Sequence, residues 1–427
     1  RDQAIARTVA RHERRRSTND AREREEMFRR TFRNQSRDRF ALVGFVQCAF
    51  EMKITIVTGA FLPVPPIMGG AIEKAWFALA REFARRGHEV VFVSRKLPQL
   101  PAEEAADGVR HVRVRGFDTP RSLLWLKFLD LLYSLRALSI LPESDVIVTN
   151  TFWLPILIWQ ATGKIYVHVG RFPKGQMRFY GRAARLQAPS RAVADAIESE
   201  VPNLSSKVEV IPYPLPRGRG EDAAPITQRD KTILFVGRVH PEKGVHVLAE
   251  AFAKKARTVF ADWKLMIVGP IEEKYGGGGD EYLSRLKRMA IPEHKVIFRG
   301  AVFDPAALET QFRSARIFVY PSLADKGESF GLAPLEAMAQ GCAVLVSDLD
   351  CFRDFVRDGE TGFVFDHRGA ANPADGLADK LEQLIVDQAL LERAAEAGHR
   401  KSAEYSVERV ADRFLADFGS LAGTAHG

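Results

Sequence analysis

The sequence predicts an α/β protein made of two parallel-sheet domains in tandem, and three observations predict it. The chain has 427 residues, more than one ordinary core fills. Short runs rich in β-branched residues alternate with helical patterns, the order that builds parallel sheets with helices on both faces. That alternation runs twice, broken by "PLPRGRGEDAAP" at 214–225, where Pro, Gly and charge dominate.

The first half opens at Met52 with the strand "KITIVT" and a Gly/Pro loop, "GAFLPVPPIMGG". A helix follows in which Ile72, Trp76, Leu79 and Phe83 share one face, ending at Gly87. "EVVFVS", "VRHVRVR", "DVIVTN" and "KIYVHV" continue the sheet, and "LQAPS" leads into the helix "RAVADAIESE". The second half restarts with "TILFVG" and the helix in "EKGVHVLAEAFAKKA". "KLMIVG", "KVIFRG", "RIFVYPS" and "AVLVSD" are its further strands, and the helix "DEYLSRLKRMA" follows "GGGG" at 276–279. The expected domains are 52–213 and 226–404, joined by the linker 214–225. A C-terminal helix in 405–427 is expected to pack back on the first domain.

Residues 1–51 stand apart. They hold thirteen Arg, no Lys and eight acids, a net of +5 out of the chain's +8. This Arg-rich segment reads as an accessory extension. A basic arm for nucleic acid or anionic lipid is the rival, weakened by the interleaved acids. The body of the chain has an ordinary balance, 46% apolar and 27% charged over the whole sequence. Three scattered cysteines, Cys48, Cys342 and Cys351, make neither a disulfide framework nor a zinc site, and a reducing, cytoplasmic setting is expected. No uncharged apolar run is long enough to span a bilayer. The nearest, "LLWLKFLDLLYSLRALSIL" at 123–141, places Lys127, Asp130 and Ser134 in one polar stripe. It reads as a half-buried core helix, with a membrane-surface or lipid-acceptor role as the alternative.

In sheets of this kind ligands sit beyond the carboxyl ends of strands, so the loops after strands carry the candidates. "VGRVHPEKG" at 236–244 offers Arg238 and Lys243 as anion partners, with Gly237 and Gly244 permitting tight backbone. "GESFGLAPLEAMAQG" at 327–341 places Glu328 and Glu336 either side of Gly331, with a helix expected to begin near Pro334. One carboxylate can take two vicinal ribose hydroxyls while N–H groups hold a diphosphate. Otherwise Glu336 complements the dipole of a first helical turn. His168, ending "KIYVHV", reads by itself as a satisfied strand-end histidine.

These two loops together resemble the signature of retaining glycosyltransferase family 4, of GT-B fold: two Rossmann-like domains facing a central cleft. Glu328 and Glu336 match its E-x7-E element, and Arg238 with Lys243 its R-x4-K pair. "MKITIVTGAFLPVPPIMGGAIEK" resembles its N-terminal opening, and "ARRGHEVVFVS" its second strand. The resemblance covers residues 52–420. It implies that Glu336 holds the nucleotide ribose and that Arg238 and Lys243 neutralise the diphosphate. Glu328 and the backbone of Phe330, Gly331 and Leu332 would meet the donor sugar or phosphate. Gly69 and Gly70 would close over the diphosphate, Gly300 and Val302 would face the base, and His168 would lie near donor sugar and acceptor. The implied catalytic set is thus Glu328, Arg238, Lys243 and His168.

The family's glycine pair and Glu after the "VSD" strand are replaced here by "LDCFRDFV", where Asp354 is the candidate substitute. "DLD" at 348–350 mimics the metal box of another glycosyltransferase fold, but two cations already serve the diphosphate. It reads as a turn, and neither metal nor cofactor is expected. The expected activity is transfer of a sugar from a nucleotide diphosphate to an acceptor hydroxyl in polysaccharide or glycoconjugate synthesis. The acceptor is unknown, and the helix at 123–141 hints that it is lipid-linked, at the inner face of the membrane. Nucleic acid is not an expected partner. The alternatives are a GT-B epimerase or phosphorylase, or a non-enzymatic binder working through the basic arm.

Overall fold

The computed structural model describes residues 51–423, apart from 121, 160–162, 219–223, 290–294 and 370. The expected extension at 1–51 lies outside the described residues but for Glu51. The first half runs β1 Lys53–Val57, α1 Ala71–Arg85, β2 Glu89–Lys96, β3 Glu103–Ala106, β4 Val109–Arg115, α2 Leu123–Leu138, β5 Val146–Thr149, α3 Leu154–Leu157, β6 Lys164–His168, β7 Arg185–Ala188, α4 Arg191–Glu200 and β8 Val208–Val210. The second runs β9 Asp230–Val236, α5 Val245–Lys255, β10 Lys264–Val268, α6 Gly279–Met289, β11 Val296–Gly300, α7 Pro305–Ser314, β12 Ala315–Tyr320, α8 Leu332–Ala339, β13 Ala343–Ser347, β14 Phe363–Phe365, α9 Pro373–Val386, α10 Gln388–Ser402 and α11 Val407–Ala422.

Two sheets result, ordered β3-β4-β2-β1-β5-β6-β7-β8 and β11-β10-β9-β12-β13-β14. Every pairing is parallel except the short β3–β4 edge. The central strands are buried on both faces, as in β1 and β12, which is why they read as unbroken apolar runs. Each sheet reverses its order once, between β1 and β5 in the first and between β9 and β12 in the second.

Helix α11 packs on the first half from the far end of the chain. Phe414 lies 4.9 Å from the Trp76 ring, and Phe418 lies 4.9 Å from Tyr166. Asp417 accepts from the Tyr166 hydroxyl at 2.8 Å and pairs with Arg185, while Arg86 pairs with Asp412 at 2.5 Å. Trp76, Tyr166, Phe414 and Phe418 belong to one buried cluster with Ile54, Ile56 and Leu79.

Helix α2 is half-buried, as expected, but two of the three residues of its polar stripe, Asp130 and Ser134, face inward. Its buried residues are Asp130, Tyr133, Ser134 and Ala137. Leu123, Leu124, Trp125, Phe128 and Leu135 point outward, 74%, 82%, 58%, 48% and 47% exposed. The inversion has a physical cause. Asp130 Oδ2 accepts from the N–H groups of Phe152 and Trp153 at 3.0 and 3.2 Å, satisfying the orphan donors ahead of α3. Trp153 Nε1 donates to the Lys127 carbonyl at 2.8 Å. Burial pushes the Asp130 carboxyl up to about 6, against the pull of those two N–H groups.

Candidate functional site

The loops that follow the reversing strands build the site. After β9, Gly237 donates its N–H to the Val268 carbonyl at 3.0 Å. Arg238 then turns its guanidinium onto the Gly276 carbonyl at 2.8 Å and pairs with Glu242 at 2.5 Å. His240 Nδ1 accepts from the Glu242 N–H at 3.3 Å and caps a one-turn helix that Gly244 ends at φ 66°. Lys243, buried, is ion-paired with Glu328. Burial works against the Glu242 carboxylate, but Arg238 and Lys243 hold it below its ordinary range.

After β12, Tyr320 and Ser322 each donate to the Glu328 oxygen that Lys243 holds, both at 3.1 Å. Gly331 has φ 91°, and a Cβ there would strike the Phe352 ring. This left-handed residue starts α8 at Leu332, two positions before Pro334. The expected start near Pro334 is thereby corrected: Pro334 is third in the helix, where its missing N–H is still harmless. Glu336 is fifth, and the first turn holds no acid, so the dipole explanation loses its premise. Glu336 is half-buried, and its carboxylate has neither hydrogen-bond nor ion-pair partner among the described residues. Burial raises its carboxyl, against the fields of Lys74 and Arg217. A half-dry carboxylate without a protein partner is a group kept for a ligand or a strained one.

The remaining candidates are placed as follows. Phe330 and Leu332 are buried, so only their backbone is offered. Gly300 has φ 70° and its carbonyl already accepts from the Gly269 N–H at 2.8 Å. Val302 is half-buried against the second core. Asp354 accepts from the Arg191 N–H at 2.9 Å, at the start of α4. Asp348 and Asp350 both pair with Arg353, at 2.9 and 3.1 Å.

In the first half, Gly69 and Gly70, with φ 81° and 97°, lead into α1. A Cβ on Gly70 would overlap the Glu73 carboxylate and sit 2.7 Å from Leu62. His168 has both ring nitrogens engaged. Gln187 Nε2 donates to the Ile211 carbonyl at 2.5 Å, which aims its Oε1 at His168 Nδ1, also 2.5 Å away. Nδ1 therefore carries the proton, and Nε2 accepts from the Tyr213 hydroxyl at 2.9 Å. Burial drops this imidazole to about 4, with Gln187 opposing, so it is neutral at pH 7.

The carboxyl ends of the two sheets meet through these loops. Ser329 Oγ donates to the Gly170 carbonyl at 2.9 Å, and Ser190 Oγ to the Ser329 carbonyl at 2.7 Å. The Tyr213 ring stands edge-on to Phe330 at 5.5 Å. The loop between the two glutamates is thus strapped to the first half.

Three groups escape the sequence reading. Thr58 and Asn150 follow β1 and β5, where the first sheet reverses, and their buried Oγ1 and Oδ1 lack partners among the described residues. Their signal was the strand ends "KITIVT" and "DVIVTN". Glu73, 6% exposed, is the third: burial lifts its carboxyl to about 7, against its own backbone N–H and the field of Arg171. Folded Glu73 keeps its proton to about pH 7, whereas an unfolded carboxyl releases it near 4.5. The stability it contributes is full below 4.5 and is lost as pH rises to 7, by about 3 kcal/mol at most. Glu73→Gln is expected to remove that loss. The variant's gain in melting temperature over wild type should grow across this window and level off above it. A flat difference refutes the buried neutral acid.

Known families and structures match this chain. The family described as "Glycosyl transferases group 1" matches residues 220–401, and "Glycosyltransferase Family 4" matches residues 68–216. Over 202 residues the chain is 36% identical to the phosphatidyl-myo-inositol mannosyltransferase of Mycobacterium tuberculosis, covering 46% of this chain and 49% of that protein. Over 189 residues it is 29% identical to the lipopolysaccharide 1,2-N-acetylglucosaminetransferase of Salmonella typhimurium, 44% of this chain and 48% of that one. Sucrose-phosphate synthase from Thermosynechococcus elongatus superposes with a TM-score of 0.70 at 19% identity, covering 87% of this chain and 100% of that one. An Anabaena protein crystallised with UDP and glucose gives 0.64 at 18%, with 87% and 100% covered. The chain spans about half the length of the curated relatives it matches.

Proposed function

The chain belongs to the glycosyltransferase group 1 and family 4 enzymes and has the GT-B fold, and from that premise we propose that it moves a sugar from a nucleoside-diphosphate donor to an acceptor hydroxyl with retained anomeric configuration. The observation that carries this reading is the partnerless Glu336 carboxylate, on the same β12–α8 segment as the Glu328 that holds the buried cation Lys243. A donor's ribose hydroxyls satisfy Glu336. Its diphosphate competes with Glu242 for Arg238 and with Glu328 for Lys243. Negative charge grows on the departing diphosphate as the glycosidic bond breaks. Two fixed cations and the N–H groups opening α5 and α8 stabilise that charge more than they stabilise the bound donor. On the same face of the sugar, the departing phosphate oxygen takes the acceptor's proton. Glu328 positions Lys243, and neutral His168 positions Tyr213 against Phe330. Gly69 and Gly70 cover the diphosphate from the first half, Gly237 and Gly331 give its loops room, and Gly300 and Val302 border the base.

The acceptor enters over the first sheet's reversal, where Thr58 and Asn150 await hydrogen-bond partners of the kind a polyol supplies. Two relatives are named for action on phosphatidyl-myo-inositol and on lipopolysaccharide. They support a lipid-linked acceptor, in glycoconjugate synthesis at a membrane surface. No helix among the described residues is long and apolar enough to cross one.

Calorimetry with free nucleoside diphosphates tests the donor site. Glu336→Ala is expected to weaken the preferred diphosphate by ~10-fold or more, the loss of a charge-assisted pair of hydrogen bonds. Arg238→Ala should lower turnover more than Glu336→Ala does. Unchanged affinity in Glu336→Ala takes the ribose role away from it.

A further inference from the structure

We propose that Glu73 is a positioning residue that couples donor binding to the uptake of a proton: the diphosphate closes on Gly69 and Gly70 over a neutral Glu73 carboxyl, and ionising that carboxyl loosens the donor. This rests on the reading of Gly69 and Gly70 as the cover of the diphosphate, and it adds a residue that works through them.

The geometry around the start of α1 carries the inference. The helix opens at Gly70, which brings no side chain to the orphan N–H groups of the first turn. Such a helix start is where an outside anion is best received. Glu73 is the acid of that turn, and it is buried there. A Cβ on Gly70 would meet Glu73 Oε2, so the carboxyl packs directly against the glycine that faces the diphosphate. The carboxyl accepts from its own backbone N–H, while burial lifts it to about 7. A carboxylate in this place competes with the diphosphate for the helix start and repels it through dry protein. A neutral carboxyl does neither.

The surroundings leave Glu73 as the group whose charge changes near neutral pH. The loop from 58 to 70 carries no titratable side chain. Arg171, exposed beyond β6, pulls the Glu73 carboxyl down against its burial. The field of Glu73 reaches Tyr133 on α2 and Tyr213 after β8, and burial keeps both hydroxyls protonated far above neutral pH. His168, dropped to about 4, is already neutral. Lys74, next on the helix, acts on Glu336. A seated diphosphate adds its negative field to the burial of Glu73 and raises the carboxyl further, so the proton comes from solvent as the donor binds.

Calorimetry of the full chain with GDP, UDP and ADP, in two buffers of different ionisation enthalpy, tests this. Above about pH 7.5 the terminal phosphate, with a pKa of about 6, is already charged and adds no step of its own. Between about pH 7.5 and 8.5 the affinity for the tightest of the three is expected to fall by roughly 3- to 10-fold, tenfold being the most that one proton can cost per pH unit, with net proton uptake on binding. Glu73→Gln, neutral and of the same shape, should bind with no uptake and equally at both pH values. A Glu73 that only packs would leave the pH profile the same in wild type and variant. A wild-type affinity that is flat across this range overturns the proposal, as does a fall that Glu73→Gln retains, and either result leaves the donor site standing. Failure of wild type to bind any of the three would overturn the donor reading and this one together.

Discussion

Lys243→Met is expected to lower turnover by ~10²-fold or more, because it removes a fixed cation from the charge that grows on the leaving group. It is also expected to cost about 3–5 kcal/mol of stability, since Glu328 would stay buried without its counter-charge. Tyr320 and Ser322 donate to the same oxygen but carry no charge. Adding Glu328→Gln separates the two effects. The double variant should regain most of the melting temperature while its turnover stays low. Wild-type turnover in Lys243→Met would end the phosphate assignment for this residue. A melting temperature that Glu328→Gln leaves at the single variant's level would mean the ion pair is not what steadies the loop.

The second large effect is expected at Gly244. Its φ of 66° costs a residue with a Cβ about 1–2 kcal/mol. The graver obstacle is steric: the Cβ of Gly244→Ala would overlap the Pro321 carbonyl oxygen, which is backbone and cannot rotate away. Relief requires the loops after β9 and β12 to part. They are joined by the Leu323 N–H on the Glu242 carbonyl at 2.8 Å and by Ser322 Oγ on the same carbonyl at 3.3 Å. A loss of about 3 kcal/mol or more is expected, adding overpacking to the backbone strain. Turnover should fall with it, because Lys243 and Ser322 are carried on the parting loops. A variant that melts within a degree of wild type would show that the loops yield freely.

Much of this was legible because parallel strands announce themselves. "TILFVG" and "RIFVYPS" are buried on both faces, so composition alone marks them, and the loops that follow must carry function. β3 and β14 were not legible: "EEAA" is too polar to read as a strand and "FVF" too short. Periodicity put Lys127, Asp130 and Ser134 on one side of α2 but could not say which side faces inward. That was decided by two distant N–H groups needing an acceptor. The start of α8 was misplaced because Pro334 drew attention from Gly331, whose left-handed backbone is the actual helix entry. Asn150 was marked only by its place at a strand end, and Glu73 gave no local pattern at all. Their character comes from burial beside elements far away in the chain.

The polypeptide passes between the two halves twice, once after β8 and once between α10 and α11. The two passages touch, the Leu215 N–H donating to the Tyr405 carbonyl at 2.7 Å. Two adjacent pins define a line, as on a door. A hinge about that line is the relative motion the two crossings favour, and sliding or twisting the motion they resist. Cutting the tail before α11 would remove one pin, leaving a wobbling joint in which the glycines above and the guanidinium below no longer return to register.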